Sequence, residues 1–209
     1  TKTSGWDWCS GYHYSDSSIM GFSHTHLSGT GVSDMLDVMI MPGTGKAFTE
    51  PGDAAKPGSG YRSRFSHKNE TGQPGYYSVV LDDYQIKAEL TATERAGLHK
   101  YTFPQSDSSH FIVDLSHAVV GEKPVTPPNV ISSIIKLEND HTISGGRRMN
   151  DWAKGRYIYF VMEFSKPFTK GEIFSGDTPI GAAQKEAAAS GIGLKTIVHF
   201  TTSANETIL

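Results

Sequence analysis

The side chains best suited to chemistry fall into two stretches of the first thirty residues. Gly21-Phe22-Ser23-His24-Thr25-His26-Leu27-Ser28-Gly29-Thr30-Gly31 sets two imidazoles and several hydroxyls among glycines. In an extended segment residues i and i+2 point the same way, so His24 and His26 would share a side. Such a pair can bind one metal ion, with His13, His67 or Asp16 as third ligand, or can hydrogen-bond to backbone and carboxylates. The preceding stretch, Gly5-Trp6-Asp7-Trp8-Cys9-Ser10-Gly11-Tyr12-His13-Tyr14-Ser15-Asp16, combines aromatic planes with carboxylates and an imidazole. Glycine and serine let such a backbone turn sharply, and the polar groups then need protein partners or a ligand.

Two further clusters carry open alternatives. In Phe65-Ser66-His67-Lys68-Asn69-Glu70, His67 and Glu70 either reach a ligand or belong to a surface loop before a turn at Gln73-Pro74-Gly75. In Gly145-Gly146-Arg147-Arg148-Met149-Asn150-Asp151-Trp152, a guanidinium fork, a carboxylate and an indole plane suit a sugar. The same residues also suit a structural corner, with Trp152 packed and an Arg–Asp pair closing the turn. Gly43-Thr44-Gly45-Lys46 is not a phosphate-binding loop, because Ile40 and Ala47 stand where glycine and Ser/Thr are required. Cys9 has no activating neighbour in sequence and reads as a packed thiol. Being the chain's one cysteine, it excludes an internal disulfide or a cysteine-rich zinc site.

The elements that must position these groups read as strands. The chain has 209 residues, 37% hydrophobic and 20% charged, with a net charge of −3. That is too apolar for a disordered chain and gives no basic field to favour nucleic acid. No apolar run is long enough for a transmembrane helix. Ile86, Ala88, Leu90 and Ala92 alternate with polar residues, and Leu98 to Phe103 alternates again before Pro104, which predicts a hairpin. Further strands are predicted at Leu36 to Met41, Tyr76 to Leu81, Phe111 to Leu115, Val130 to Leu137, Tyr157 to Phe164 and Leu194 to Phe200. The apolar run Tyr157 to Met162 is expected at the centre of a sheet. Ala182 to Ser190 is either a short helix or a loop. The expected fold is mainly all-β: a single antiparallel β-sandwich over residues 1–209, with long loops and at most one or two short helices.

The string from Gly21 to Gly31 resembles the amino-terminal domain of the family 92 glycoside hydrolases, bacterial exo-acting α-mannosidases. Tyr12-His13-Tyr14-Ser15-Asp16 leads into it and Asp37 to Pro42 follows. Phe65-Ser66-His67, Glu70, Pro74-Gly75-Tyr76-Tyr77-Ser78-Val79, the run Ala88 to Pro104, Asp151-Trp152 and Tyr157 to Ser165 resemble later blocks in the same order. The resemblance implies an N-terminal β-sandwich packed on an (α/α)6 barrel that carries the catalytic acid, the catalytic base and most of the calcium site. It implies a calcium-dependent enzyme that removes terminal mannose, with α-1,2 the leading linkage, from glycans in the periplasm, at the cell surface or outside the cell. No long amphipathic helix occurs here and both ends look cut. The chain is therefore expected to be the N-terminal part of a longer enzyme, inactive alone, with no catalytic residue and no metal of its own. Its expected contribution is one wall of the cleft, from Trp8, Tyr12, His24, Thr25, His26, Ser28 and Gly29, with Trp6 as a further ring. The alternatives are a stand-alone carbohydrate-binding sandwich and a metal-dependent hydrolase using His24 and His26.

Overall fold

A computed structural model describes residues 11–27, 34–118, 129–181 and 183–209. Trp6, Trp8, Cys9, Ser28 and Gly29 lie outside the described residues. In chain order the first strands are β1 (Ser18–Ile19), β2 (Met39–Gly43), β3 (Ser63–Arg64), β4 (Glu70–Gln73), β5 (Tyr76–Leu81), β6 (Ile86–Ala92), β7 (Gly97–Phe103) and β8 (Ser106–Asp114). Then follow β9 (Val130–Leu137), β10 (Thr142–Asn150), β11 (Lys154–Glu163), β12 (Lys170–Ser175), β13 (Thr178–Pro179), β14 (Glu186–Ser190), β15 (Leu194–Thr202) and β16 (Glu206–Ile208). A single 3-10 turn, His67–Asn69, is the helical piece among the described residues.

All pairings are antiparallel. One five-stranded sheet runs β13-β12-β15-β8-β2, a second runs β16-β7-β6-β5-β4, and a four-stranded sheet runs β11-β10-β9-β14, with β1 and β3 forming a short ribbon. The chain is thus the all-β sandwich that its alternating strands predict. Phe111 on β8 joins the two larger sheets: its ring centroid lies 5.0 Å from Tyr101 and 5.5 Å from Phe103 on β7, 5.6 Å from Phe200 on β15 and 5.2 Å from Phe164. These are edge-on and tilted contacts, which aromatic rings prefer. The opposite face of β8 and β15 is roofed by the 44–62 loop. There Tyr61 donates to Asp114 at 3.0 Å, and the buried Lys195 ammonium donates to the Thr49 carbonyl at 2.7 Å and pairs with Glu50.

The structure corrects three expectations. The alanine-rich stretch is not helical: Glu186–Ser190 is β14, pairing with β9 so that Ala187 faces Ile135. Alanine is the best intrinsic helix former, but tertiary context outweighs propensity, and a buried place beside Ile135 overrides it here. Tyr157 to Met162 is not central, because β11 is an edge strand. Ile158, Phe160 and Met162 face the core while Tyr157, Tyr159 and Val161 face out. The strand expected from Leu36 begins only at Met39, because Met35, Leu36 and Val38 have φ of 69°, 56° and 53°.

Phe111→Ala is expected to cost about 3–5 kcal/mol, the usual range for emptying a buried phenylalanine site. A lowered urea midpoint at unchanged slope is the readout.

Candidate functional site

Residues 22–26 run antiparallel to residues 36–40 and extend the first sheet beyond β2. Phe22 and Ile40 exchange backbone hydrogen bonds of 2.9 and 3.0 Å, the His24 amide donates to the Asp37 carbonyl at 3.0 Å, and the Leu36 amide donates to Thr25 at 2.8 Å. Alternation then sorts the side chains. Phe22 goes inward, against His99 and Tyr101 of β7. His24 follows on the same side and stacks flat on His99, with centroids 4.8 Å apart and planes 4° from parallel. Thr25 points the other way. Its hydroxyl donates to Asp37 Oδ2 at 2.6 Å and accepts from the Asp37 amide at 2.9 Å. The structure therefore places Thr25 behind the rim as a strut, not on it.

Asp37 is the anchor. Its carboxylate and the Arg147 guanidinium are both 0% exposed. Arg147 uses all five N–H groups. Nε and Nη2 reach Asp37 Oδ1 at 2.8 and 2.6 Å, Nη1 donates to the Leu115 and His117 carbonyls at 2.8 and 2.5 Å, and Nη2 also reaches the Met35 carbonyl at 3.4 Å. Arg156 bridges Asp37 Oδ2 at 2.6 Å and Asp34 Oδ1 at 2.8 Å, and the Ala153 amide closes on Asp34 Oδ2 at 2.8 Å. Burial alone would raise the Asp37 carboxyl, but the Arg147 charge and these hydrogen bonds outweigh it and hold it below the usual carboxylate range. Positive φ at a β-branched residue such as Val38 is a genuine outlier. Strained residues of this kind cost about 1–3 kcal/mol each and persist only where surrounding contacts fix them.

One product of that strain is the Val38 carbonyl, which lies 2.7 Å from His24 Nδ1. A carbonyl only accepts, so Nδ1 carries the hydrogen and Nε2 of the neutral ring is left as an acceptor. His24 and His26 are open to solvent on one side yet crowded by protein on the other. That crowding lowers both imidazoles, against the Val38 hydrogen bond in His24 and with the His24 charge adding in His26. His99 is pushed down to about 4 by burial and by His24. His117 is also pushed down to about 4, by burial first and then by Arg147, His26 and Arg62 against an opposing Asp114. Near neutral pH all four are neutral.

A second group lies on the same rim. In the second large sheet the register row Val79–Ala88–Tyr101 is buried, while the next, Tyr77–Leu90–His99, reaches the edge of the core. Tyr77 therefore sits two strands from His99, roughly 10 Å away. Its hydroxyl donates to Glu70 Oε1 at 2.6 Å, and Tyr12 donates to Glu70 Oε2 at 3.3 Å. His67 Nδ1 is 2.5 Å from Glu70 Oε2 and its Nε2 is 2.6 Å from the Tyr14 carbonyl, with the Tyr14 ring stacked on it at 4.2 Å. Both partners accept, so both ring nitrogens donate and His67 is an imidazolium. The Glu70 hydrogen bond raises its pKa accordingly. Gly11, at φ 76°, passes so close to His26 that a Cβ there would sit 3.3 Å from the ring. The 11–12 segment thus links the two groups. Of the residues expected on a wall, Tyr12, His24 and His26 are brought to one rim. His99, His67, Glu70 and Tyr77 join them. His67 and Glu70 were already legible in sequence as a pair three apart.

The rim does not fit a hard cation. Calcium takes 6–8 oxygen ligands, whereas Glu70 is committed to His67, Tyr77 and Tyr12, and Asp34 and Asp37 to arginines. Among the described residues no group of three or more His, Cys, Asp and Glu is arranged to hold a metal. The Gly145–Trp152 stretch forms β10 and the following turn, where Arg147 pairs with Asp37 and Trp152 is exposed. Of the structural-corner alternative, an Arg–Asp pair does form, with the distant Asp37, while the indole is exposed and not packed.

Arg147→Met, which strands the Asp37 charge, is expected to cost about 3–5 kcal/mol in chemical denaturation. The histidines give the pH dependence its sign. His24, His26, His99 and His117 take up protons more readily unfolded than folded, so acid favours unfolding. Stability is full above the unfolded pKa of about 6.5 and falls as pH drops towards 4. His67 acts in the opposite sense: its pair is present below about 6.5 and is lost as pH rises through its raised value. Melting temperature from pH 9 to pH 4.5 is expected to be highest in the middle. His67→Gln should flatten the alkaline side alone.

Known proteins share this fold. The glycosyl hydrolase family 92 N-terminal domain matches residues 1–209. The family GH92 α-mannosidase BT3965 from Bacteroides thetaiotaomicron, solved alone and in complex with mannoimidazole, superposes with a TM-score of 0.89 at 35% identity over 99% of this chain. The inverting family GH92 mannosidase BT2199 from the same organism superposes with a TM-score of 0.70 at 25% identity over 94% of this chain. This chain spans about a quarter of the length of those proteins, 28% and 24%. No curated protein sequence matched it. With its whole length matched, the chain belongs to the family of glycosyl hydrolase family 92 N-terminal domains.

Proposed function

We propose that this domain is the sugar-facing wall of a longer, inverting exo-α-mannosidase that removes terminal α-1,2-linked mannose from glycans outside the cytoplasm. Family membership and the resemblance to solved α-mannosidases support that reading. The observation that carries the role of the wall is the His24 ring: neutral, tied through Nδ1 to the Val38 carbonyl, stacked on His99, with Nε2 left to accept. A ring so fixed suits a mannose hydroxyl, which donates one hydrogen bond in one direction. The exposed Tyr12 and Tyr14 rings offer apolar faces for a pyranose. Trp8, Ser28 and Gly29 belong to the same proposed wall, and Thr25 supports it through Asp37.

Inversion needs an acid and a base about 6.5–9.5 Å apart with room for water between. Glu70, held by an imidazolium and two phenols, is not such a base. The wall therefore binds and orients the sugar, and the proton transfers belong to groups of the remaining polypeptide. A calcium ion in the complete enzyme would supply Lewis-acid contact with sugar hydroxyls, and its oxygen ligands would come mainly from that same part.

In the complete polypeptide, His24→Ala is expected to lower kcat/KM on α-1,2-mannobiose roughly ten- to a hundredfold, the size of one well-placed hydrogen bond. The far-ultraviolet circular dichroism should not change. Unaltered kinetics would remove His24 from the site. A flat calorimetric titration of the 209-residue chain with mannobiose is also expected, because half a cleft lacks most contacts; tight binding would instead favour a self-sufficient carbohydrate-binding module.

A further inference from the structure

We infer that the outward face of the β11-β10-β9-β14 sheet is the seat of the later part of the same polypeptide, an inference that rests on the longer-enzyme reading above. Of the nine exposed large apolar side chains among the described residues, five belong to this sheet or its hairpin turn: Ile134, Trp152, Tyr157, Tyr159 and Val161. Trp152 is 73% exposed, Tyr159 71% and Val161 70%. Register makes the patch continuous. Tyr159, Gly146, Ile134 and Ala188 stand in one row across four strands, with Tyr157 and Val161 on either side of Tyr159. A Cβ on Gly146 would come within 2.7 Å of the Tyr159 ring, so the glycine lets that ring lie down over β10. Among the described residues, no strand pairs with the outer edge of β11. A contiguous apolar face beside an unpaired edge invites a covering body.

The chemistry of the patch selects a protein surface. Its margins mix Glu163, Glu186 and Glu138 with Lys136, Lys154 and Arg148, whose guanidinium lies 4.9 Å over the Tyr157 ring, so the two signs balance and there is no cationic excess for anionic lipid to attract. Across the row from Tyr159 stand glycine, isoleucine and alanine, and on the flanking rows Arg148 already lies over Tyr157 and Lys136 is paired with Glu138, so the polar groups at hand are largely turned to protein partners. The matched mannosidases are about four times longer than this chain, so a polypeptide of that kind carries ample material to cover it. Leu209 is bonded to Ser165, two residues past the end of β11, through its amide at 2.9 Å and its carbonyl at 3.1 Å.

The face is also wired to the rim. Ala153, next to Trp152 in the β10–β11 turn, holds Asp34, and Arg156 and Arg147 of the same hairpin hold Asp37. A body seated on Tyr159 and Val161 thus rests on the hairpin that fixes the His24 segment, and its position relative to that segment is set.

The test uses the complete polypeptide. Hydroxyl-radical footprinting should leave Tyr157 and Tyr159 at least tenfold less labelled in the native polypeptide than in the same polypeptide unfolded in urea, independent of protein concentration. Tyr159→Lys and Val161→Glu should each raise the rate of proteolytic cleavage between the two parts by tenfold or more, and a Val161→Leu control should not. Full labelling of Tyr159, or cleavage rates unchanged in both charged variants, overturns the inference. So does protection that vanishes on dilution together with a halved mass, which would assign the face to a second copy. Protected tyrosines in a polypeptide that cleaves no mannoside would leave the docking intact and defeat only the proposed activity.

Discussion

One buried ion pair, Asp37 with Arg147, sets the conditions for everything at the rim. Both side chains are wholly withdrawn from water. Removing two charges from solvent costs several kcal/mol apiece, and a buried pair is recovered only through good geometry and full hydrogen bonding. Here the geometry is complete: five guanidinium N–H groups meet one carboxylate oxygen and three backbone carbonyls. Such a pair adds little net stability against a well-packed apolar alternative, but it admits few arrangements. That selectivity is what a backbone with three left-handed residues in four positions requires. The strain at Met35, Leu36 and Val38 and the pairing of Asp37 with Arg147 are two sides of one structure, and the Val38 carbonyl that orients His24 is its product.

The rim is also where the sandwich runs out of apolar residues. Along β5, β6 and β7 the inward rows change from Val79–Ala88–Tyr101 to Tyr77–Leu90–His99. Tyr101, still fully buried, already turns its hydroxyl to His99 at 2.7 Å. Residues 22–26 meet this polar end because alternation that sends Phe22 into the core sends His24 to the next place along. The core and the candidate site are thus successive segments of one packing pattern, with Phe111 deep within it and His24 at its mouth.

The sequence made some of this plain and hid the rest for definable reasons. Period-two alternation located β6 and β7 nearly to the residue, and runs of strand-forming residues between turn signals located β5 and β9. It misjudged β11, whose outward aromatics look like core residues when only polarity is counted. It missed β14, since alanine carries the strongest helical preference and almost no strand signal, and the decisive partner, Ile135, is some fifty residues away. The link from Asp37 to Arg147 spans 110 residues and leaves no local pattern. The histidines were legible as chemistry from their density among glycines. That one would be held by a backbone carbonyl, and another would have its charged form favoured by a carboxylate, depends on contacts that only the folded chain makes.

The connectivity of the first large sheet bears on how the molecule is made. β2 and β8 lie side by side at its edge, and the neighbour that β8 needs, β15, is the penultimate strand. β16, the last, caps β7, whose His99 backs the rim. On a ribosome the amino-terminal strands must wait, with an open edge and an uncovered Phe111, until residues near 200 have emerged. Long-range pairings of this kind close slowly and leave nascent chains prone to wrong partners. The order of the strands thus sets how long the inner face of β8 stays uncovered during synthesis.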